Sequence, residues 1–321
     1  MHSTHITAAS GLDPLICLTA PGSTREVSVA YPGRVFGTSG AEPRSKKCVE
    51  RYLDATKSTI LFAKGVIFVE GIAEQLLIPC FADYVDLPIE THHIAVVAVA
   101  GVTFKHFLPI FGAGTYVEGR QFALRRPVAC IIDPDPTRKE KEEAGNRKNC
   151  WPYQLHRDST RYDYFPESAA LTSLRQQSQH APNIRICSGK KTLEYDIAEH
   201  NYTVAMLITA ACTYEAALHE LSINPTELPS PLQKKLEQES AALASEIAAI
   251  SDPDEERRAR FATYYLLCTE DEKGEHAFDL VSQLRENLAK PVEQRMVFQT
   301  PKHIEEAIHW ACSESIGKPF S

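Results

Sequence analysis

The stretch 65-GVIFVEGIAEQLLIP-79 ends a short apolar run on an acid and then turns. Four apolar residues precede Glu70, and Gly71 follows it, before a second acid at Glu74. A buried carboxylate is costly unless it is paired, protonated or bound to a metal ion. The stretch predicts a buried strand that ends at Glu70, followed by a turn and a helix over residues 72–84.

Two further apolar runs continue this pattern. Residues 94–101 (IAVVAVAG) and 127–133 (PVACIID) are predicted strands, and residues 103–113 are a predicted helix that Pro109 interrupts or bends. Apolar strands that alternate with helices predict an α/β fold, in which helices cover both faces of a parallel sheet. Ligands of such sheets bind beyond the carboxyl ends of the strands, where Glu70 and Asp133 are expected.

The remaining chain is predicted from weaker patterns. Short strands are expected at 13–20, 25–31 and 183–189, helices at 42–63, 192–201, 202–250 (broken at 223–231), 252–268, 273–289 and 301–315, and a polar, proline-containing insertion, partly loop, at about 136–182. The helices after residue 200 predict an additional, mainly helical lobe beside the sheet.

The composition is that of an ordinary globular protein. The chain has 321 residues, 43% of them hydrophobic and 24% charged, with a formal net charge of −8. It lacks a long apolar run and a signal peptide, so we expect a cytoplasmic location and no membrane partner. The nine cysteines are scattered singly, which favours neither a zinc site nor a disulfide framework. Local basic clusters occur at Arg44, Lys46, Lys47; Arg120, Arg125, Arg126; and Arg138, Lys139, Lys141.

The acids of two strand ends predict a metal site. Asp133 and Asp135, in IIDPDP, are two residues apart, a spacing that places extended side chains on one side of the backbone. Together with Glu70 and Glu74 they bring four carboxylates to one edge of the sheet, where bare charges repel. Oxygen ligands suit Mg²⁺ or Mn²⁺, and two such ions about 4 Å apart can promote phosphodiester hydrolysis.

This joint pattern resembles the Toprim domain of topoisomerases, primases and some nucleases, which carries a glutamate after its first strand and a DxD after its third. YLDATKSTILFAKGVIFVEGIAEQLLIP, VAGVTFKHFLPIF, KTLEYDIA and EKGEHAFDL are more specifically similar to the C-terminal nuclease half of the overcoming-lysogenisation-defect (OLD) family. The resemblance extends from about residue 2 to residue 314. It implies a Toprim-type, Rossmann-like parallel sheet flanked by helices.

The resemblance also implies further site residues. It assigns metal ligation to Glu70, Glu74, Asp133, Asp135 and Glu194, and catalytic roles to Glu70 and Lys273. Lys273 belongs to a KG motif that departs from the family pattern, since Glu275 and His276 follow it here. A lysine at this place can neutralise charge that develops on a phosphate. The other interpretations are a helix-start acid for Glu194 and a surface lysine for Lys273.

The function that the resemblance implies is a Mg²⁺- or Mn²⁺-dependent DNA endonuclease with two ions, in phage defence or DNA processing. Its implied partners are DNA, a separate ATPase or UvrD-like helicase, and further copies of itself. The chain has no GxxxxGK[ST] motif, so we expect no ATPase activity of its own. Residues 1–41 are predicted to be a remnant of an ATPase-like region, residues 42–200 the Toprim domain, 201–290 the helical lobe and 291–321 a C-terminal helix that packs back.

Two alternatives remain open at this stage. A catalytically silent, truncated module could bind nucleic acid or form oligomers without cleaving. A primase-like polymerase would need a nucleotide pocket, for which the sequence gives no support. Tyr162 and Tyr164 in the insertion could stack on bases, although packing within a loop is the more ordinary role of such residues.

Overall fold

The computed structural model describes residues 9–19, 27–53, 57–99, 104–142, 145–223 and 240–313. Its strands are β1 Cys17–Thr19, β2 Ser28–Ala30, β3 Gly65–Val69, β4 Ile94–Ala98, β5 Val128–Ile131, β6 Thr137–Glu140, β7 Lys148–Asn149, β8 Tyr162–Phe165 and β9 Ile184–Cys187. Its α-helices are α1 Glu42–Tyr52, α2 Ile72–Tyr84, α3 Ala169–Ser178, α4 Leu193–His200, α5 Ala205–Ala210, α6 Glu215–Ile223, α7 Ser240–Ala248, α8 Pro253–Thr269, α9 Lys273–Ala289 and α10 Lys302–Ala311.

The apolar runs form a four-stranded parallel sheet in the order β4-β3-β5-β9. In the register of the two central strands, Ile67 lies opposite Val96 on one side and Ala129 on the other. Every residue of β3 and β5 is buried, as expected for strands that helices cover on both faces. The predicted α/β fold is thus confirmed. Gly101, predicted to end the strand at 94–101, lies outside the described residues.

Alternate residues of the central strands face two separate cores. Ile67 and Val69 contribute to a cluster that includes α2, α4 and α10, while Val66 and Phe68 face α1, α3 and the loops before β5. This alternation follows from the two-residue repeat of a strand. Because both faces of the sheet pack against apolar cores, neither face is free to bind a ligand. A binding site is therefore expected at the ends of the strands, where polar residues follow them.

The helical lobe shares its core with the first face of the sheet. Helices α2 and α9 lie side by side and parallel: Tyr84 donates its hydroxyl to the carbonyl of Leu284 at 3.1 Å and accepts from the Asn287 amide at 2.9 Å. As a result, the amino ends of both helices meet at the carboxyl edge of the sheet. Trp310 of α10 donates its indole N–H to the carbonyl of Val128 at 3.0 Å. The proposed division into four regions stays a prediction.

The insertion at about 136–182 was predicted to be partly loop, whereas its described residues include three strands and a helix. Strands β6, β7 and β8 form a small antiparallel sheet in the order β7-β6-β8, followed by α3. The residues of β6 are half-buried, those of β7 are exposed, and the sequences of these strands do not alternate between apolar and polar residues. Cation–π contacts stabilise this small sheet: the Arg138 guanidinium lies 4.7 Å from the centre of the Tyr162 ring. Tyr164 accepts the backbone N–H of Asp158, so both tyrosines have partners within the insertion.

Two predicted helices differ from the observed ones. Within the predicted helix 103–113, the described residues 104–113 include two 3₁₀ helices, Phe104–His106 and Leu108–Phe111, and the second ends at Gly112 with a φ of 99°. A left-handed residue cannot continue a helix, and glycine adopts that conformation without strain. The predicted helix 42–63 is also shorter, because α1 ends at Tyr52 and a 3₁₀ helix forms at Lys57–Leu61.

The basic clusters are partly engaged within the protein. Arg126 is buried and donates to the carbonyls of Ile60 and Ala63, and Lys46 pairs with Asp13 at 2.5 Å. Arg138 forms an ion pair with Glu246 at 3.6 Å. Each predicted cluster therefore has at least one member in an internal contact. No helix in the described ranges is long and apolar enough to cross a membrane.

Candidate metal centre

The first two acids lie where β3 passes into α2. Glu70 follows the last residue of β3, and Gly71 has the extended backbone of a residue that precedes a helix. Glu74, in the first turn of α2, is buried and accepts the backbone N–H of Gly71 at Oε2, at 3.1 Å. This contact caps the helix and turns the carboxylate back towards Glu70.

The DxD motif lies beside them. The backbone N–H of Asp133 donates to Glu70 Oε1 at 3.2 Å, so the ends of two neighbouring strands are joined at the site. Asp135 is exposed and has a φ of 44°, in the left-handed region. The extended geometry that we predicted for Asp133 and Asp135 is therefore wrong at its second member. Aspartate tolerates this conformation better than most residues, and such outliers cluster at functional sites.

Glu194 and Lys273 complete the group from opposite helices. Glu194 lies in the first turn of α4, which Thr192 caps, and only 3% of it is exposed. Lys273 is the first residue of α9, and its Nζ lies 3.1 Å from Glu194 Oε2. The Lys273 side chain is 42% exposed, so its ammonium lies at the boundary between the buried acid and solvent.

The pKa values show that the five acids share one electrostatic field. The pKa of Glu70 is raised to about 7, chiefly by burial and also by the charges of Glu74 and Asp135, while the Asp133 backbone N–H and Lys273 act to lower it. Burial, and then the charge of Glu194, raises the pKa of Glu74. The structure therefore brings together residues from four separate segments of the chain.

Different charges act on the pKa values of Asp133 and Asp135. Burial holds the pKa of Asp133 well above its usual range, and all four other acids add to the effect, beginning with Glu70. Although Asp135 is exposed, partial desolvation by its neighbours raises its pKa, and Lys191 and Lys273 oppose this. For Lys273 itself, burial lowers the pKa, and the attraction of Glu194 outweighs this and leaves it raised. Without a cation, the site is a repulsive cluster.

Lys191 is a site neighbour that the sequence did not predict. It is 3% exposed, and its Nζ donates to Asn149 Oδ1 at 2.8 Å and lies 4.5 Å from the Trp151 ring centre. Burial lowers its pKa, and the charges of Asp135 and Asp133 oppose that. The lysine thus connects the insertion to the DxD motif. The only signal for it was its place in GKKTLE, directly before Thr192, which caps α4.

The donor set suits a hard divalent cation, since it consists of carboxylate oxygens. In the described ranges, no three Asp, Glu, His or Cys side chains are arranged ready to hold an ion, and several of these carboxylates contact other groups instead. Glu74 caps its own helix, Glu70 accepts an N–H, and Glu194 pairs with Lys273. A bound cation would therefore compete with these contacts, and the mutual repulsion of the acids favours that exchange.

Comparison with known proteins shows which solved structures the chain is similar to. Solved structures similar to the chain include the C-terminal region of the Burkholderia pseudomallei OLD protein, at 17% identity and a TM-score of 0.33, covering 71% of this chain and all of that one. Two structures of the C-terminal region of the Xanthomonas campestris pv. campestris OLD protein, phased with platinum and with iodine, are each 18% identical, with TM-scores of 0.31 and 0.30. They cover 72% and 71% of this chain, and 96% and 97% of their own.

A protein-family model also matches part of the chain. The model described as "Overcoming lysogenization defect protein-like, TOPRIM domain" matches residues 61–135, a range that contains Glu70, Glu74, Asp133 and Asp135. Glu194 and Lys273 lie outside it. No curated protein matches the chain significantly. Residues 61–135 are thus similar to the Toprim domain of overcoming-lysogenization-defect-like proteins.

Proposed function

We propose that this protein is a metal-dependent DNA endonuclease. The observation that supports this most strongly is the convergence of five acids, Glu70, Glu74, Asp133, Asp135 and Glu194, with Lys273 at the carboxyl edge of the sheet. Perturbed acids of this kind concentrate at functional sites. The match to an OLD-like Toprim domain supports the same chemistry.

The acids would hold Mg²⁺ or Mn²⁺, with two ions proposed. When bound, such ions make water a stronger nucleophile and stabilise the leaving oxygen of a phosphodiester. Glu70 and Asp133 are already joined by a hydrogen bond, so their strand ends fix the spacing of the first ligands. Lys273 reaches the same edge with its ammonium partly in solvent, where it can contact a phosphate oxygen. Glu70 and Lys273 are therefore the proposed catalytic residues.

Its proposed partners follow from the same family. DNA is the proposed substrate, and a separate ATPase or a UvrD-like helicase is the proposed companion. We also propose that the chain assembles with further copies of itself and acts in phage defence or DNA processing. The proposed location is the cytoplasm.

Purified protein is expected to nick supercoiled plasmid in buffer with Mn²⁺ or Mg²⁺, and to stop when EDTA removes the ion. Agarose gels that separate supercoiled, open-circular and linear DNA give the measurement. Equal nicking in EDTA would contradict the metal dependence. A plasmid that is retarded but intact in both ions would instead support the silent binding module.

A further inference from the structure

The insertion holds the DxD loop on both sides of Asp135. Asp135 is exposed, but the prolines before and after it, Pro134 and Pro136, are buried. The Pro134 carbonyl accepts the backbone N–H of Ser168 at 2.7 Å, and the Pro136 carbonyl accepts the backbone N–H of Cys150 at 2.9 Å. Because each proline also fixes its own φ, these contacts leave the backbone of Asp135 little freedom. The insertion therefore determines where this carboxylate lies.

Lys191 connects one of these contacts to the start of α4, the helix that carries Glu194. Its Nζ donates to Asn149 Oδ1 at 2.8 Å and to the carbonyl of Cys150 at 3.3 Å. Because the N–H of Cys150 is donated to Pro136, hydrogen bonds run from the start of α4 to the DxD loop. Two proposed metal ligands, one in that loop and one in α4, are thus joined through this ammonium.

The burial of the Lys191 ammonium indicates a role beyond packing. The residue is 3% exposed, and both oxygens to which it donates are neutral. Burying an ammonium ion among neutral acceptors is costly, and the charges of Asp135 and Asp133 offset part of that cost at longer range. An apolar side chain could fill the same space without the cost. Because Lys191 is buried, it can act on the acids but not touch DNA.

We propose that Lys191 is a positioning residue of the metal centre, which holds Cys150 and, through it, the DxD loop, so that Asp135 can bind a cation together with Glu194. The proposal rests on the metal-dependent function proposed above. Groups that orient metal ligands from behind typically contribute about 10–100-fold to metal affinity. By its charge alone, however, a lysine near the acids would weaken the binding of a cation. The two effects have opposite signs, so removal of the ammonium distinguishes them.

Isothermal titration calorimetry with Mn²⁺ measures this sign. Lys191→Met keeps most of the length of the side chain and its contact with the Trp151 ring, whose centre lies 4.5 Å from Nζ, but loses the charge and both hydrogen bonds. We expect the variant to bind Mn²⁺ at least about tenfold more weakly than the unaltered protein. Thermal denaturation in EDTA shows whether it is folded at the titration temperature. A merely structural role would lower the melting temperature without changing the affinity of the folded protein.

Two variants of β7 test the same connection from the side of the insertion. Asn149→Ala removes one acceptor but keeps the ammonium, and since Asn149 is exposed the variant should fold. It should weaken Mn²⁺ binding about threefold, whereas an effect of charge alone predicts no change. Lys148→Met is the matched control, because it removes a lysine charge from the preceding, exposed position of the same strand. Its Mn²⁺ affinity should stay within about twofold of that of the unaltered protein.

The outcomes separate the positioning role from the proposed nuclease. Mn²⁺ binding that is as tight in Lys191→Met as in the unaltered protein, or tighter, would contradict the role. If Lys191→Met does not fold, an unchanged affinity in Asn149→Ala would contradict it instead. No Mn²⁺ binding by the unaltered protein would overturn the metal centre and this proposal together. Weakened binding in both variants, without plasmid nicking by the unaltered protein, would support the positioning role and overturn only the nuclease activity.

Discussion

Asp133→Asn is expected to abolish plasmid nicking and, at the same time, to stabilise the metal-free protein. The activity should fall about 100-fold or more, because the central carboxylate of the proposed metal centre is lost. The stability should rise because Asp133 is repelled by all four of the other acids. A residue that costs stability and carries function is the expected signature of an active site.

The stability gained in Asp133→Asn should increase as the pH rises. The folded-state pKa of Asp133 is raised, so the folded protein keeps a proton that the unfolded chain loses above about pH 4. Stability is then lost by about 1.4 kcal/mol per pH unit as the pH rises towards the folded pKa. Asparagine does not ionise, so the difference in melting temperature between the variant and the original protein should be near zero at pH 4 and several degrees at pH 8.

Thermal denaturation followed by circular dichroism, in EDTA, measures this difference. Asp163→Asn serves as the control, since Asp163 is an exposed residue of β8 whose nearest cation, on Lys141, is 3.9 Å away. This control should change neither the nicking nor the melting temperature. An Asp133→Asn variant that is less stable than the original protein at pH 8 would show that the acids do not repel one another as described.

Lys273→Met should have the opposite effect on stability. Its removal leaves the buried carboxylate of Glu194 without its ion-pair partner. Breaking a fully buried pair costs about 3–5 kcal/mol, and because Lys273 is partly exposed we expect a smaller loss of about 1–2 kcal/mol at pH 8. Nicking should fall about 10- to 100-fold, as the cation nearest to the proposed phosphate position is lost.

A double-mutant cycle shows whether the loss arises from this pair. Glu194→Gln, introduced together with Lys273→Met, should recover most of the lost free energy of unfolding, measured by urea denaturation. Lys290→Met, at the other end of α9, is the matched control and should be neutral. If the double variant is as unstable as Lys273→Met alone, the ion pair is not what Lys273 contributes.

Much of the sheet and four of the six proposed site residues could be predicted from local sequence. The run before Glu70 and the run before Asp133 are entirely apolar, and parallel strands place their carboxyl ends at one edge. That geometry brings the acids together without knowledge of the intervening loops. Glu194 and Lys273 were found only through the family resemblance, since a helix-start acid and a helix-start lysine are individually ordinary.

What the sequence could not show depends on contacts between distant segments. The insertion forms a sheet through ring and charge contacts, such as Arg138 over Tyr162, that leave no alternation in the sequence. Asp135 has a left-handed backbone and follows Pro134, whose carbonyl accepts the backbone N–H of Ser168 in the insertion. The prediction from the i, i+2 spacing assumed an extended chain at both aspartates. Lys191 is buried against Trp151, about forty residues earlier in the chain. Its neighbours could not be inferred from spacing.

Isothermal titration calorimetry with Mn²⁺ at pH 7 tests the central claim most directly, namely that the five acids form a divalent-cation site. Acids that repel one another and hold protons must release them when a cation binds. The heat should therefore vary with the ionisation enthalpy of the buffer in a way that reports net proton release, and Asp133→Asn should abolish most of the binding. Binding of equal strength and heat in Asp133→Asn, or no binding by the unaltered protein, would contradict the account.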